Sequence, residues 1–172
     1  MYSKIKIAGH PVHPMLVAFP VAFYTGTLVA FAVYAANGHL FWLNLAIALG
    51  VAGVGTAVLA ALVGLVDWAL GIPRDSGAKM TGLMHAGLNV IALGLFLAAV
   101  ASYVTDWNGP AVSATLGVVL SAIGVAVTMA AGFLGWTLVQ SYHVGVHLVP
   151  EQERAEPAVQ HSQPNLLRRP AA

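Results

Sequence analysis

Four long apolar stretches constrain this chain more than any other feature of its sequence. Each supplies the roughly 20 residues that an α-helix needs to cross a bilayer core: about 14–36, 40–66, 82–104 and 111–139. Short breaks rich in Gly, Asn and Pro separate them, as is typical of turns. Only 8% of the residues are charged, against about a quarter in a soluble domain. The sequence therefore predicts an all-α integral membrane protein, an up-down-up-down four-helix bundle over residues 1–149.

The basic residues indicate the orientation of this bundle. Lys4 and Lys6 precede the first stretch, Arg74 and Lys79 lie between the second and third, and the remaining arginines follow the fourth. By the positive-inside rule both termini are then cytoplasmic. Residues 150–172 are rich in Glu, Gln, Pro and Arg, which predicts a disordered polar tail. The net charge of +1 leaves no basic face for nucleic acid, so that class of partner is excluded.

The two halves of the chain resemble each other. "GLVDWAL" (64–70) closes the second stretch and "GFLGWTL" (132–138) closes the fourth. His13 opens the first stretch and His85 opens the third. Parallel repeats of this kind occur in membrane proteins. We therefore predict two pseudo-symmetric helical hairpins, related by an axis along the membrane normal.

Ionisable side chains gather at the predicted cytoplasmic ends of the four helices. One of them alone is typical of an interfacial polar residue, but a set inside a membrane bundle is costly without a function. Pro11 and Pro14 favour an extended backbone at the histidines before them. Asn89 lies four residues beyond His85, on the same helix face. The predicted ligands are His13, His85, His10, His143 and His147, and the predicted orienting groups are Asp67 and Asn89.

The absence of cysteine restricts the chemistry of such a site to nitrogen and oxygen ligands. The first and third helices are diagonal in this topology, so His13 and His85 are predicted to face each other as axial ligands of haem b. A non-haem Zn, Cu or Fe site on His13, His85 and His10 is an alternative. A transporter or accessory subunit with a histidine proton relay is another. No nucleophile–base pair or nucleotide motif occurs, so we expect no enzymatic activity from the chain by itself.

Four segments resemble one bacterial membrane family, known as domain of unknown function 2231. They are "GHPVHPMLVAFP", "GLVDW", "MHAGLNV" and "GFLGWTLVQSYHVGV", and the likeness covers about residues 8–147. It implies a four-helix domain in the bacterial inner membrane. The family's marked positions correspond to His10, His13, Asp67 and His85. The chain departs from the pattern at five places: at Trp136, Thr137 and Gln140, and by having His143 and His147.

The resemblance also implies a redox role, because some relatives are joined to Rieske-type iron–sulfur domains. This chain has no cysteine, so a Rieske-type partner would be a separate protein. We therefore expect a b-type cytochrome-like protein that exchanges electrons with a partner at the cytoplasmic face. The lipid bilayer is its expected environment, and a homo-oligomer is a further possibility.

Overall fold

Four long helices pack as a bundle in the computed structural model, which describes residues 3–146, 149–152 and 154. All four are apolar and long enough to cross a membrane, which confirms the predicted fold. Two short strands and a 3-10 helix accompany them. The elements are β1 (Lys6–Ile7), β2 (His10–Pro11), α1 (Val12–Asn37), α2 (Leu40–Gly71), α3 (Gly77–Tyr103), the 3-10 helix Val104–Asp106 and α4 (Thr115–Gln140).

Several helix ends differ from the ends of the apolar stretches. The helix α2 continues to Gly71 rather than 66, and α3 begins at Gly77 rather than 82. Lys79 Nζ lies 2.5 Å from the Trp68 carbonyl oxygen and 3.4 Å from that of Ile72. A cation on the last carbonyls of a helix stabilises that end. Polar residues beyond the apolar run therefore remain helical.

The fourth helix begins at Thr115 rather than 111. The Tyr34 hydroxyl accepts a hydrogen bond from Val112 N and donates one to Val112 O, both at 3.0 Å. These bonds occupy the backbone groups that a longer helix would use. Of the tail predicted to be disordered, only residues 150–152 and 154 are described, and they are helical.

A small hairpin precedes α1. Ala8 and Gly9 have φ angles of 49° and 84°, and two successive positive φ angles are typical of a type I′ hairpin turn. His10 lies in β2 and is extended, as predicted. The same prediction is wrong for His13, because α1 begins at Val12 and includes it. Pro14 occupies the first turn, where a helix needs no backbone N–H donor.

Aromatic rings fill the axis of the bundle. Each helix packs on its two neighbours in the circular order α1, α2, α3, α4, so α1 and α3 are diagonal partners. Three pairs of rings from these helices meet between them, and this confirms the predicted diagonal. The ring centroids lie 6.3 Å apart in His13–His85, 3.7 Å in Tyr24–Phe96 and 4.9 Å in Phe31–Tyr103.

These contacts define the register of the internal repeat. Ring partners in α1 and α3 are 72 positions apart. In α2 and α4 the equivalent residues are 71 positions apart. Gly53 lies against Tyr24, and its equivalent Gly124 lies against Phe96. By this register Gly64 corresponds to Gly135. The predicted match of Gly64 with Gly132 is wrong, because Gly132 has no neighbour near its Cβ position whereas Gly135 stands against His85.

Candidate functional site

Two imidazoles meet at one end of the bundle, which we call the histidine end. It is formed by the starts of α1 and α3 and by the ends of α2 and α4. His13 and His85 come from the diagonal helices and are both half-buried. Their ring centroids lie 6.3 Å apart, and their planes are inclined at 88°. The structure thus brings together the two histidines that the sequence analysis paired.

Each imidazole is held by the other helix of its own hairpin. His13 Nδ1 lies 2.9 Å from the Ala60 carbonyl oxygen, and His85 Nδ1 lies 2.8 Å from that of Ala131. A carbonyl oxygen only accepts hydrogen bonds, so each Nδ1 carries the hydrogen and donates it. In the neutral rings the lone pair is therefore on Nε2. A histidine held in this way at one nitrogen offers the other to a metal.

Two glycines leave the space that these rings occupy. A Cβ added at Gly64 would lie 2.7 Å from His13 Cε1, and one at Gly135 would lie 3.1 Å from His85 Cε1. Any side chain at either position would therefore displace the ring beside it. In the sequence Gly64 stands out only as part of a motif, and Gly135, Ala60 and Ala131 were not predicted as part of the site. Their spacing of 71 residues is the signal that could have found them.

Asn89 distinguishes the two imidazoles. Its Nδ2 lies 3.2 Å from His85 Nε2 and 2.9 Å from the His85 carbonyl oxygen, so the amide donates to both. The predicted place of Asn89 beside His85 is confirmed. The equivalent residue in α1 is Val17, which has no donor. His85 Nε2 is thus hydrogen-bonded by an amide that has no counterpart beside His13.

Asp67 holds the N-terminal segment rather than an imidazole. Its carboxylate accepts hydrogen bonds from Ser3 Oγ at 2.7 Å, Lys4 N at 2.6 Å and Ile5 N at 3.2 Å. We predicted that Asp67 orients the histidines. Its three hydrogen bonds go instead to the chain that precedes α1.

The other predicted ligands lie around this pair rather than in it. His10 is exposed on β2, and its Nδ1 lies 3.0 Å from the Ala8 carbonyl oxygen. His143 is half-buried in the turn after α4, with a φ angle of 51°. His147 lies outside the described residues. Within the part of the chain that the structure describes, no three His, Asp or Glu side chains group closely enough to hold a metal ion.

Similarity to known proteins extends over the whole bundle. The model of a family described as "Predicted membrane protein (DUF2231)" matches residues 9–148. The matched region includes all four helices and both paired histidines. No curated protein and no solved structure matches the chain.

Proposed function

This chain belongs to DUF2231, a family of predicted membrane proteins, and we propose that it is a b-type cytochrome-like electron-transfer protein. In this proposal His13 and His85 would hold one haem b. The distribution of basic residues would place this haem at the cytoplasmic side of a bacterial inner membrane. The electron partner would be a separate protein of the Rieske type, as the family resemblance implies.

The geometry of the imidazole pair is the observation that supports this proposal. His13 and His85 come from diagonal helices, and their ring centroids lie 6.3 Å apart. Two facing imidazoles of this kind would hold one haem between them. Their Nδ1 atoms donate to the carbonyls of Ala60 and Ala131, which leaves each Nε2 as the ligand atom. This donor set fits haem, which takes two axial ligands from the protein.

The residues around the pair have defined tasks in this proposal. A bound haem supplies a one-electron couple whose potential depends on its axial ligands and on burial. The carbonyls of Ala60 and Ala131 orient the rings and raise their basicity. Gly64 and Gly135 allow both rings to lie close to the neighbouring helix. Asn89 donates to the His85 carbonyl as well as to its Nε2, so it would still hold the carbonyl if Nε2 bound the haem.

A non-haem ion of Zn, Cu or Fe is supported less well. Zinc sites use three or four protein ligands, whereas the described residues bring two imidazoles together and no third His, Asp or Glu. The proton-relay alternative requires no bound group at all. Both alternatives give a result different from that of haem in the experiment below.

The visible spectrum of the full chain, purified in detergent, tests the proposal. We expect a reduced-minus-oxidised difference band of a bis-histidine haem. The band should be lost in His13→Ala and in His85→Ala, because each change removes one axial ligand. His10→Ala is the matched control, since His10 is exposed and its ring lies against the Ala8 carbonyl rather than in the imidazole pair. It should keep the band.

Three results would overturn the proposal that His13 and His85 hold a haem. A colourless protein with stoichiometric metal that is lost in both variants would assign a non-haem site. A colourless, metal-free protein that takes up neither added haem nor added metal would support the proton relay. A band that survives in His13→Ala and His85→Ala would show that other residues hold the haem.

A further inference from the structure

Residues 3–11, which we call the N-terminal cap, fold back on themselves before α1 begins. The strands β1 and β2 pair Lys6 with Pro11 and Ile7 with His10. Val12 N donates to the Ile5 carbonyl oxygen at 3.1 Å, which joins the cap to the first residue of α1. Ser3 is only 6% exposed, although it lies at the start of the described chain. The start of the cap is therefore packed on the bundle, whereas Lys4 and residues 6–10 are exposed.

One carboxylate holds the cap to the bundle. Asp67 lies near the end of α2, where the helix dipole disfavours a negative charge. Three donors of the cap compensate this charge, namely Ser3 Oγ, Lys4 N and Ile5 N. Hydrogen bonds to an ionised acceptor are the stronger class. In the second hairpin the equivalent residue is Leu138, so this attachment has no counterpart there.

The cap lies on the outward side of the histidine pair. Gly64 touches the His13 ring, and Asp67 is about one helical turn beyond Gly64, toward the end of α2. The residues bonded to Asp67 are therefore about one turn farther out than His13. A molecule that approaches His13 along the bundle axis from the histidine end meets the cap first.

A second cover closes the other half of this end. Residues 141–146 turn back after α4, with Val144 N donating to the Leu138 carbonyl oxygen at 3.0 Å. The Tyr142 hydroxyl lies 2.8 Å from the Cβ position of Gly77, at the start of α3. Pro11 Cγ lies 3.4 Å from the Cβ position of Gly145. The cap and this turn thus contact each other at the histidine end of the bundle.

We infer that Asp67 is a positioning residue that latches the N-terminal cap, and that opening of the cap governs access of water-borne molecules to His13. The two covers contact each other through Pro11 and Gly145 but are held by different bonds. We expect loss of the Asp67 bonds to loosen residues 3–5 of the cap, whereas the turn after α4 keeps its own bond from Val144 N to the Leu138 carbonyl oxygen. This role does not depend on which group the imidazoles bind.

Chemical labelling of the histidines in the ligand-free full chain tests this inference. Diethyl pyrocarbonate modifies accessible imidazoles, and peptide mass spectrometry gives the rates for His13 and His39 separately. His39 is exposed in the turn between α1 and α2, away from the cap, and serves as the internal reference. We expect Asp67→Asn to raise the His13 rate relative to His39 by about tenfold or more, as expected for loss of a hydrogen bond to a charged group. Ser3→Ala, which removes one of the three donors, should give a smaller rise.

Asp75→Asn is the matched control, because Asp75 is an exposed carboxylate in the loop before α3. It should leave the His13 rate unchanged. An unchanged rate in a folded Ser3→Ala protein and in Asp67→Asn would overturn the inference, as would an equal rise in Asp75→Asn. If Asp67→Asn does not fold, Ser3→Ala alone decides. The assay needs no haem, so failure of the haem proposal would not alter its outcome.

Discussion

The two helical hairpins of this protein share their packing residues and differ in their polar ones. Both place a histidine against a glycine and a backbone carbonyl, and both place a ring against a second glycine. Several polar side chains lack an equivalent in the other hairpin. Among them are Tyr24 where the second hairpin has Phe96, Asn89 where the first has Val17, and Asp67 where the second has Leu138.

This difference separates what the bundle requires from what the site requires. An apolar residue at the equivalent position shows that helix packing does not demand the polar group. The shared histidines, by contrast, lie at the centre of a symmetric pair, where a membrane protein retains ionisable side chains for a function. Variants that make the two hairpins more alike, or that break what they share, therefore test the comparison directly.

The largest effect is expected where the shared packing is broken. A Cβ at Gly124 would lie 2.6 Å from Phe96 Cε2, so Gly124→Ala should lower the free energy of unfolding by about 1–3 kcal/mol through overpacking. Gly87→Ala is the control, since no atom lies within 4 Å of that Cβ position, and it should be neutral or slightly stabilising. Unfolding by sodium dodecyl sulfate measures both. Equal stabilities would contradict the packing described for this glycine.

A smaller effect of opposite sign is expected at Tyr24. Its hydroxyl is buried and has no hydrogen-bond partner among the described residues, whereas the stacked Phe96 has no hydroxyl. Tyr24→Phe should therefore raise the free energy of unfolding by about 1–2 kcal/mol, because a buried unpaired group is removed. The same titration measures it, with Tyr34→Phe as the control, since the Tyr34 hydroxyl is bonded to Val112. A loss of stability in Tyr24→Phe would reveal a bound partner of this hydroxyl.

The fold and the diagonal pair could be predicted because the bilayer dictates helix length and the short breaks dictate topology. With four antiparallel helices in order, His13 and His85 have to lie at the same end. The carbonyls of Ala60 and Ala131 were not predictable in this way, because every residue has a backbone carbonyl and the residue type does not show which one accepts a hydrogen bond. The register of the repeat was predicted wrongly because the similar motifs align Gly64 with Gly132. In the structure it is Gly135 that packs against a histidine as Gly64 does.

The N-terminal cap was not predicted, for a different reason. Its strands have two residues each, which is too short for a hydrophobic pattern to appear. Residues before a proline favour an extended backbone, which predicts that α1 begins after His13. In the structure Val12 N is bonded to the Ile5 carbonyl oxygen, and α1 begins at Val12. The partners of Asp67 were not predictable for the same reason, because they belong to this short segment.

The smallest effect is expected at Asn89, where Asn89→Val would make α3 like α1. The change removes the hydrogen bond to His85 Nε2, so the ligand-free protein should lose about 0.5–1.5 kcal/mol of unfolding free energy. In a protein with its proposed haem bound, His85 Nε2 is a ligand and this bond is already broken. The substitution should then cost less in the loaded protein than in the ligand-free one, as measured by paired unfolding titrations. Val17→Ala is the control for a change at the equivalent position of α1, and it should cost the same in both states. An equal cost of Asn89→Val in both states would show that His85 Nε2 keeps its amide donor and is not the ligand atom.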